Sequence, residues 1–185
     1  MPPSRVIIDT DPGVDDMFAL LLALASPEEL TIEGLTIVFG NHNDLDILAE
    51  NAVLALAIAG RADGSIPVFK GAREPSDGLG FHGHTGIVVH GDNGIGGVAP
   101  PPALMAAAAR SMKVIEAEEA DGNAAAMFMV ETVLAHPGEI TIVALGPLTN
   151  VAAAIALGGF RFVASLKRLV VMAGSVGAPP PSGMT

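Results

Sequence analysis

Apolar positions along this chain follow two alternating rhythms. Short runs rich in β-branched residues at 5–9, 31–39, 66–69, 140–145 and 168–173 predict strands. Longer runs at 15–25, 44–59, 123–136 and 149–157 are apolar over most of a helical surface and predict packed helices. Strand and helix alternate, which predicts βαβ units. The fold class expected is therefore α/β, a mostly parallel sheet with helices on both faces. Turn residues agree with these boundaries. Pro12-Gly13 separates the first strand from the first helix, and Ser26-Pro27 closes that helix. Residues 103–120 are helix-prone. Residues 71–102 are rich in Gly, Pro and His with little periodicity, which predicts a long functional or mobile loop.

Ligands of a parallel sheet bind beyond the carboxyl ends of its strands. Four polar segments fall there: 9–16, 40–41, 146–150 and 172–174. The first is the richest. Val6-Ile7-Ile8-Asp9-Thr10-Asp11-Pro12-Gly13-Val14-Asp15-Asp16 carries four carboxylates within eight residues, between an apolar strand and an apolar helix. Carboxylates brought together out of water repel one another and lose solvation. Asp15 and Asp16 fall at the helix N-terminus, where the dipole tolerates negative charge. A cap needs one carboxylate, however, not four. Ca²⁺ and Mg²⁺ choose oxygen ligands. The pattern therefore predicts a metal-centred site at the end of the first strand.

Composition narrows the setting. A length of 185 residues suits one domain, 1–185, with a substantial core. Half the residues are apolar, yet no stretch is uniform enough to span a membrane. No basic segment followed by an apolar run marks a signal peptide, and cysteine is absent. A cytoplasmic location is expected. A formal net charge of −11 argues against a nucleic-acid backbone as partner. No internal repeat is present.

Two enzyme families begin with Asp-x-Asp after a first strand. In haloacid-dehalogenase-like phosphatases the first Asp is a phosphorylated nucleophile and the second an acid/base. Their usual Thr or Val two residues later is Gly13 here, and they have no need of Asp15-Asp16. The full string Asp-Thr-Asp-Pro-Gly-Val-Asp-Asp, followed by Ala19-Leu20, instead resembles the inosine–uridine-preferring nucleoside hydrolases. The resemblance extends to Gly34-Leu35-Thr36-Ile37-Val38-Phe39-Gly40-Asn41, to Asn51-Ala52 and to His90-Gly91-Asp92-Asn93-Gly94-Ile95-Gly96. It continues through Pro137-Gly138-Glu139-Ile140-Thr141, Ala144-Leu145-Gly146-Pro147-Leu148-Thr149-Asn150 and Val170-Val171-Met172-Ala173-Gly174.

This resemblance implies a Rossmann-like fold and hydrolysis of the N-ribosidic bond of purine or pyrimidine ribonucleosides, giving ribose and free base. It implies a Ca²⁺ cofactor with a bound water. Asp11 would be the general base and a metal ligand, Asp16 a metal ligand, Asp15 the grip on ribose, and Asp9 a support. The Thr149 carbonyl would complete the metal contacts of this region. Asn41 would reach ribose, or else cap the following helix. His90 would approach the base. The partial copy Phe81-His82-Gly83-His84-Thr85-Gly86 makes His82 the alternative, and a solvated His90 is a further one. Met172 would line the sugar pocket or simply fill the core. His136, at a helix end before Pro137, suits the negative end of the dipole. The expected partner is a small ribonucleoside, with no nucleic acid and no membrane.

Family members continue beyond this sequence, with a Gly-Asn-x-Thr segment, an Ala-Glu-Phe-Asn segment and a late His-Asp pair. Their absence here, together with the lack of Trp and Tyr, predicts a chain incomplete at its C-terminus, one metal carboxylate short. Weak activity in these residues alone follows from that expectation. Assembly into a homo-oligomer, or completion by a C-terminal part, is the complementary expectation. A catalytically inactive remnant or binding module of the same fold is the alternative function.

Overall fold

The computed structural model describes residues 2–76, 86–117 and 123–173. Six strands run parallel in one sheet: β1 (Ser4–Thr10), β2 (Leu30–Ile37), β3 (Val68–Lys70), β4 (Val114–Ile115), β5 (Ile140–Ala144) and β6 (Arg168–Val171), in the order β4-β3-β2-β1-β5-β6. Between them lie α1 (Val14–Leu24), α2 (Leu45–Ile58), α3 (Ile87–His90), α4 (Pro102–Ser111), α5 (Ala124–Ala135) and α6 (Thr149–Ser165).

Side-chain alternation along β1 divides the core in two. Val6 and Ile8 face α1, α2 and α4, where Leu20, Leu35, Leu48 and Leu56 are fully buried. Ile7 faces α5 and α6, beside Met129, Ile142 and Phe162. Each such side chain contributes roughly 1.5–3 kcal/mol by leaving water. Helix starts are set by local chemistry. The Asp44 carboxylate accepts from the Asp46 N–H, and Asn123 Oδ1 accepts from the Ala126 N–H, so each caps its helix.

Pairing of β1 with β2 shifts register between Val6 and Ile7, leaving Glu33 extra in β2. Arg5 Nε meets that Glu33 at 2.7 Å, and its Nη1 meets Glu139 at 3.1 Å, which ties three strands at their N-terminal ends. Gly34 follows the bulge. A Cβ there would lie 2.7 Å from the Phe128 ring, which stacks on Phe69 with centroids 4.1 Å apart.

The strand order fixes where a site belongs. The chain leaves β1 toward one face and β5 toward the other, so the carboxyl ends of these adjacent strands form the switch point of the sheet. On the far side, β6 is the edge of the sheet among the described residues and presents Leu169, Val170 and Val171 at 36–44% exposure.

Several expected boundaries move. The strand expected at 66–69 is Val68–Lys70, because Pro67 cannot donate to the ladder. The stretch 103–120, read as helix-prone, holds α4 and then the two-residue edge strand β4, with its last residues outside those described. The loop at 71–102 contains the one-turn α3. The helix expected at 149–157 runs on to Ser165, but across a break at Gly159 with φ +57. The positive φ at Gly159 makes a kink there.

Candidate active site

At the end of β1 the chain turns from sheet to helix through Asp11-Pro12-Gly13, and four polar groups gather there. Asp9 is completely buried. Its Oδ1 accepts from Thr36 Oγ1 at 2.7 Å and from Asn150 Nδ2 at 2.8 Å. Its Oδ2 is the one buried side-chain polar atom without a partner among the described residues. Asp16, buried on the first turn of α1, accepts from Thr10 Oγ1 at 2.6 Å and Asn41 Nδ2 at 3.1 Å. Its Oδ2 also lies 3.4 Å from the Gly13 N–H. Asp11 Oδ2 accepts from the Asn41 N–H at 2.8 Å, and Asn41 Nδ2 donates to the Asp11 carbonyl at 2.9 Å.

Three glycines make this crowding sterically possible. A Cβ at Gly146 would lie 2.5 Å from Asp11 Oδ1, and one at Gly40 would collide with Asp11 Oδ2. The Asp11 carboxyl thus occupies a slot between the chain after β2 and the chain after β5. A Cβ at Gly13 would lie 2.5 Å from Asn41 Nδ2 and 2.9 Å from the His90 ring.

His90 is buried, not solvated. Its Nδ1 accepts from the Val14 N–H at 3.0 Å, so the proton of the neutral ring is on Nε2. The ring satisfies one of the orphan amides at the start of α1, a task that Gly13 has no side chain to perform. Asp15 is 70% exposed, with Oδ1 3.9 Å from His90 Nδ1. Asn51, on α2, donates to the Pro12 carbonyl at 3.1 Å and the Asn93 carbonyl at 3.0 Å, bridging the β1–α1 turn to the loop after His90.

Burial dominates the electrostatics. It pushes the Asp9 carboxyl up to about 7, against the lowering effect of Asn150 and Thr36. It pushes Asp11 up to about 8, and the negative charge of Asp16 adds to the rise. Asp16 is raised for the same first reason. Among the described residues, no ion pair with Lys or Arg reaches any of the three.

The other expected site residues are more dispersed. Thr149 begins α6, with only its neighbour Asn150 reaching Asp9. Met172 follows β6, two strands from β1, is 59% exposed and donates its N–H to the Ala144 carbonyl. His82 lies outside the described residues, and so does His84. The sequence reading assigned no role to Asn51, Asn150, Thr10 or Thr36. Asn51 carried a visible signal: an amide inside the apolar run of α2 must find buried partners.

Among the described residues, no group of three or more His, Cys, Asp or Glu side chains forms a metal cage. The donors nevertheless suit a hard cation: desolvated carboxylates of like charge and an orphaned carboxylate oxygen. The fold and this rim define an α/β protein with an acidic site at its switch point.

The chain belongs to the inosine–uridine preferring nucleoside hydrolase family, whose sequence profile matches residues 6–183. It is 43% identical to uridine nucleosidase 1 of Arabidopsis thaliana over 176 residues, covering 92% of this chain and 45% of the relative. It is 33% identical to the inosine-uridine preferring nucleoside hydrolase of Leishmania major, covering 93% of this chain and 49% of the relative. A plant nucleoside hydrolase structure superimposes with a TM-score of 0.74 at 37% identity, covering 94% of this chain and 49% of that one. A purine-preferring ribonucleoside hydrolase from Gardnerella vaginalis gives 0.74 at 28% identity, covering 93% and 49%. The chain spans about half the length of the curated relatives it matches. Among the described residues, no helix is long and apolar enough to cross a membrane.

Proposed function

We propose that this chain carries the water-activating half of a site that hydrolyses the N-ribosidic bond of ribonucleosides. The observation that carries the reading is the pair Asp11 and Asp16, buried side by side at the switch point with like charge and no Lys or Arg against them among the described residues. Asp11, Asp16 and the Thr149 carbonyl would hold Ca²⁺, with Asp9 supporting the cluster. When bound, the ion would orient a water and the ribose diol.

The chain's own groups supply the rest. Hydrolysis of a ribosidic bond develops positive charge on the sugar ring, as in other glycoside hydrolysis. Asp11 accepts the proton of the attacking water at its carboxylate. A carboxyl raised to about 8 is mostly protonated at neutral pH, so a positive charge beside it is needed to keep it a base. Asp15, 70% exposed at the helix N-terminus, suits a ribose hydroxyl. Asn41 orders Asp11 and Asp16 through its amides and takes a place beside the sugar. His90 presents an Nε2–H donor toward the base. Met172 would close the sugar side. The expected partner remains a small ribonucleoside.

The phosphatase reading requires Asp9 as nucleophile. Asp9 is completely buried with one oxygen committed to Thr36 and Asn150, which favours the hydrolase reading. The test is release of reducing sugar from uridine and inosine in Ca²⁺, comparing the chain with Asp11→Asn. The wild type should release ribose, however slowly, and the substitution should lower the rate at least about a hundredfold. No release by the wild type, with nucleoside binding retained, would support a binding module instead. A phosphorylated aspartate trapped at Asp9 would restore the phosphatase reading.

A further inference from the structure

Asn150 is the second residue of α6 and is completely buried. Its carboxamide makes four hydrogen bonds. Nδ2 donates to Asp9 Oδ1 at 2.8 Å and to the Ile37 carbonyl at 3.1 Å. Oδ1 accepts from the Ala72 N–H at 2.8 Å and from Asn123 Nδ2 at 3.0 Å. The four partners lie on four separate segments: β1, β2, the chain after β3, and the cap of α5. At Gly71 a Cβ would lie 2.5 Å from Asn150 Cγ, so the glycine lets the backbone rest on the amide.

Two of these connections, to Asp9 and to the Ile37 carbonyl, lead to the slot that holds Asp11. One wall is Gly40, three residues after Ile37. The other is Gly146, four residues before Asn150. Asp9 stands on β1, two residues ahead of Asp11 in the turn that follows it. A single side chain therefore pins both walls and the strand between them. Only a carboxamide of this length donates twice and accepts twice here. A carboxylate would turn two acceptors, Asp9 and the Ile37 carbonyl, against a third.

We propose that Asn150 is a positioning residue of the site: its carboxamide fixes the spacing between the ends of β2 and β5 and so holds the Asp11 carboxyl in register. The proposal rests on the reading of Asp11 as a site residue, but its test does not depend on catalysis.

The test is residue-resolved amide exchange on the full chain, with Asn150→Asp, Gly71→Ala and Asn123→Ala. Two protons report. The Ala72 N–H touches Asn150 directly; the Asn41 N–H touches only the Asp11 carboxylate. Asn150→Asp should speed exchange at both, with a roughly tenfold or greater rise at Asn41 as local opening becomes easier. Gly71→Ala, which pushes its Cβ into the amide, should do the same, and it decides the matter if Asn150→Asp does not fold. Asn123→Ala should loosen the Ala126 N–H and leave Asn41 unchanged. Faster exchange at Ala72 with Asn41 unchanged, in folded Asn150→Asp or in Gly71→Ala, would overturn the proposal and make Asn150 merely structural. A Ca²⁺ titration of the same proteins is read separately. No binding by the wild type would refute the metal reading while leaving the exchange comparison intact.

Discussion

The main-chain N–H of Asn41 donates to Asp11 Oδ2 at 2.8 Å, and its side-chain amide returns to the Asp11 carbonyl at 2.9 Å. One residue thus holds both ends of Asp11, and its Nδ2 also reaches Asp16 at 3.1 Å. Asn41→Ala keeps the main-chain bond and loses the other two. Hydrogen bonds to charged groups are each worth about 1.5–3 kcal/mol. The variant should unfold in urea with a stability lower by about 1–3 kcal/mol, and a wild-type midpoint would contradict the role.

The glycine slot makes a sharper steric prediction. Gly146→Ala places a methyl 2.5 Å from Asp11 Oδ1, so the carboxyl or the turn after β5 must move. Overpacking of this kind costs about 1–3 kcal/mol. Nucleoside hydrolysis should fall at least about tenfold, since small displacements at a reacting group lose large factors. Assay of the folded variant at saturating nucleoside checks this.

His90 ties the loop after α3 to the start of α1 through the Val14 N–H. His90→Ala frees that amide, and loss of a comparable cap costs about 1 kcal/mol. Exchange at Val14 should accelerate while exchange in the buried strand β5 keeps its rate. Unchanged protection at Val14 would show that the ring does not cap the helix.

Much of this was legible in the sequence because it was written in local chemistry. The run Val6-Ile7-Ile8, the Pro12-Gly13 turn and the apolar periods of 15–25, 44–59 and 123–136 each act on their own neighbourhood, and they placed β1, α1, α2 and α5 within a residue or two; the cap of α2 is Asp44, not the Asn41 considered for it. The parallel α/β class followed from their alternation. The two-residue strand β4 was not legible, because Val114-Ile115 is too short to show a period and joins the sheet by pairing with β3. The helix expected at 149–157 came out short because the apolar period is interrupted where Gly159 takes positive φ and kinks the helix on its way to Ser165. The solvated alternative for His90 fails, and nothing near it in sequence reveals that Val14, 76 residues away, supplies its partner. Asn150 was visible within a motif, but its four bonds span as many as 141 residues of chain, and no local pattern encodes them.

The raised carboxyls give stability a direction with pH. Asp9 at about 7 and Asp11 at about 8 bind protons more tightly in the folded chain than their ordinary values near 4 would allow. Their protonated forms stabilise the fold fully below that ordinary value, and the contribution is lost as pH rises through about 7 to 8. With a chelator present, the melting temperature should be lower at about pH 8.5 than at about pH 5.5. Asp11→Asn should shrink the gap, because an amide does not ionise. A gap of equal size in the variant would contradict the assignment.

The central claim is that Asp11 and Asp16 are brought together to hold a cation. Calorimetric titration of the chain with Ca²⁺, beside Asp16→Ala, tests it most directly. The account predicts measurable binding by the wild type and at least about tenfold weaker binding after substitution, with fold retained by circular dichroism. Equal heats from the two proteins would contradict it.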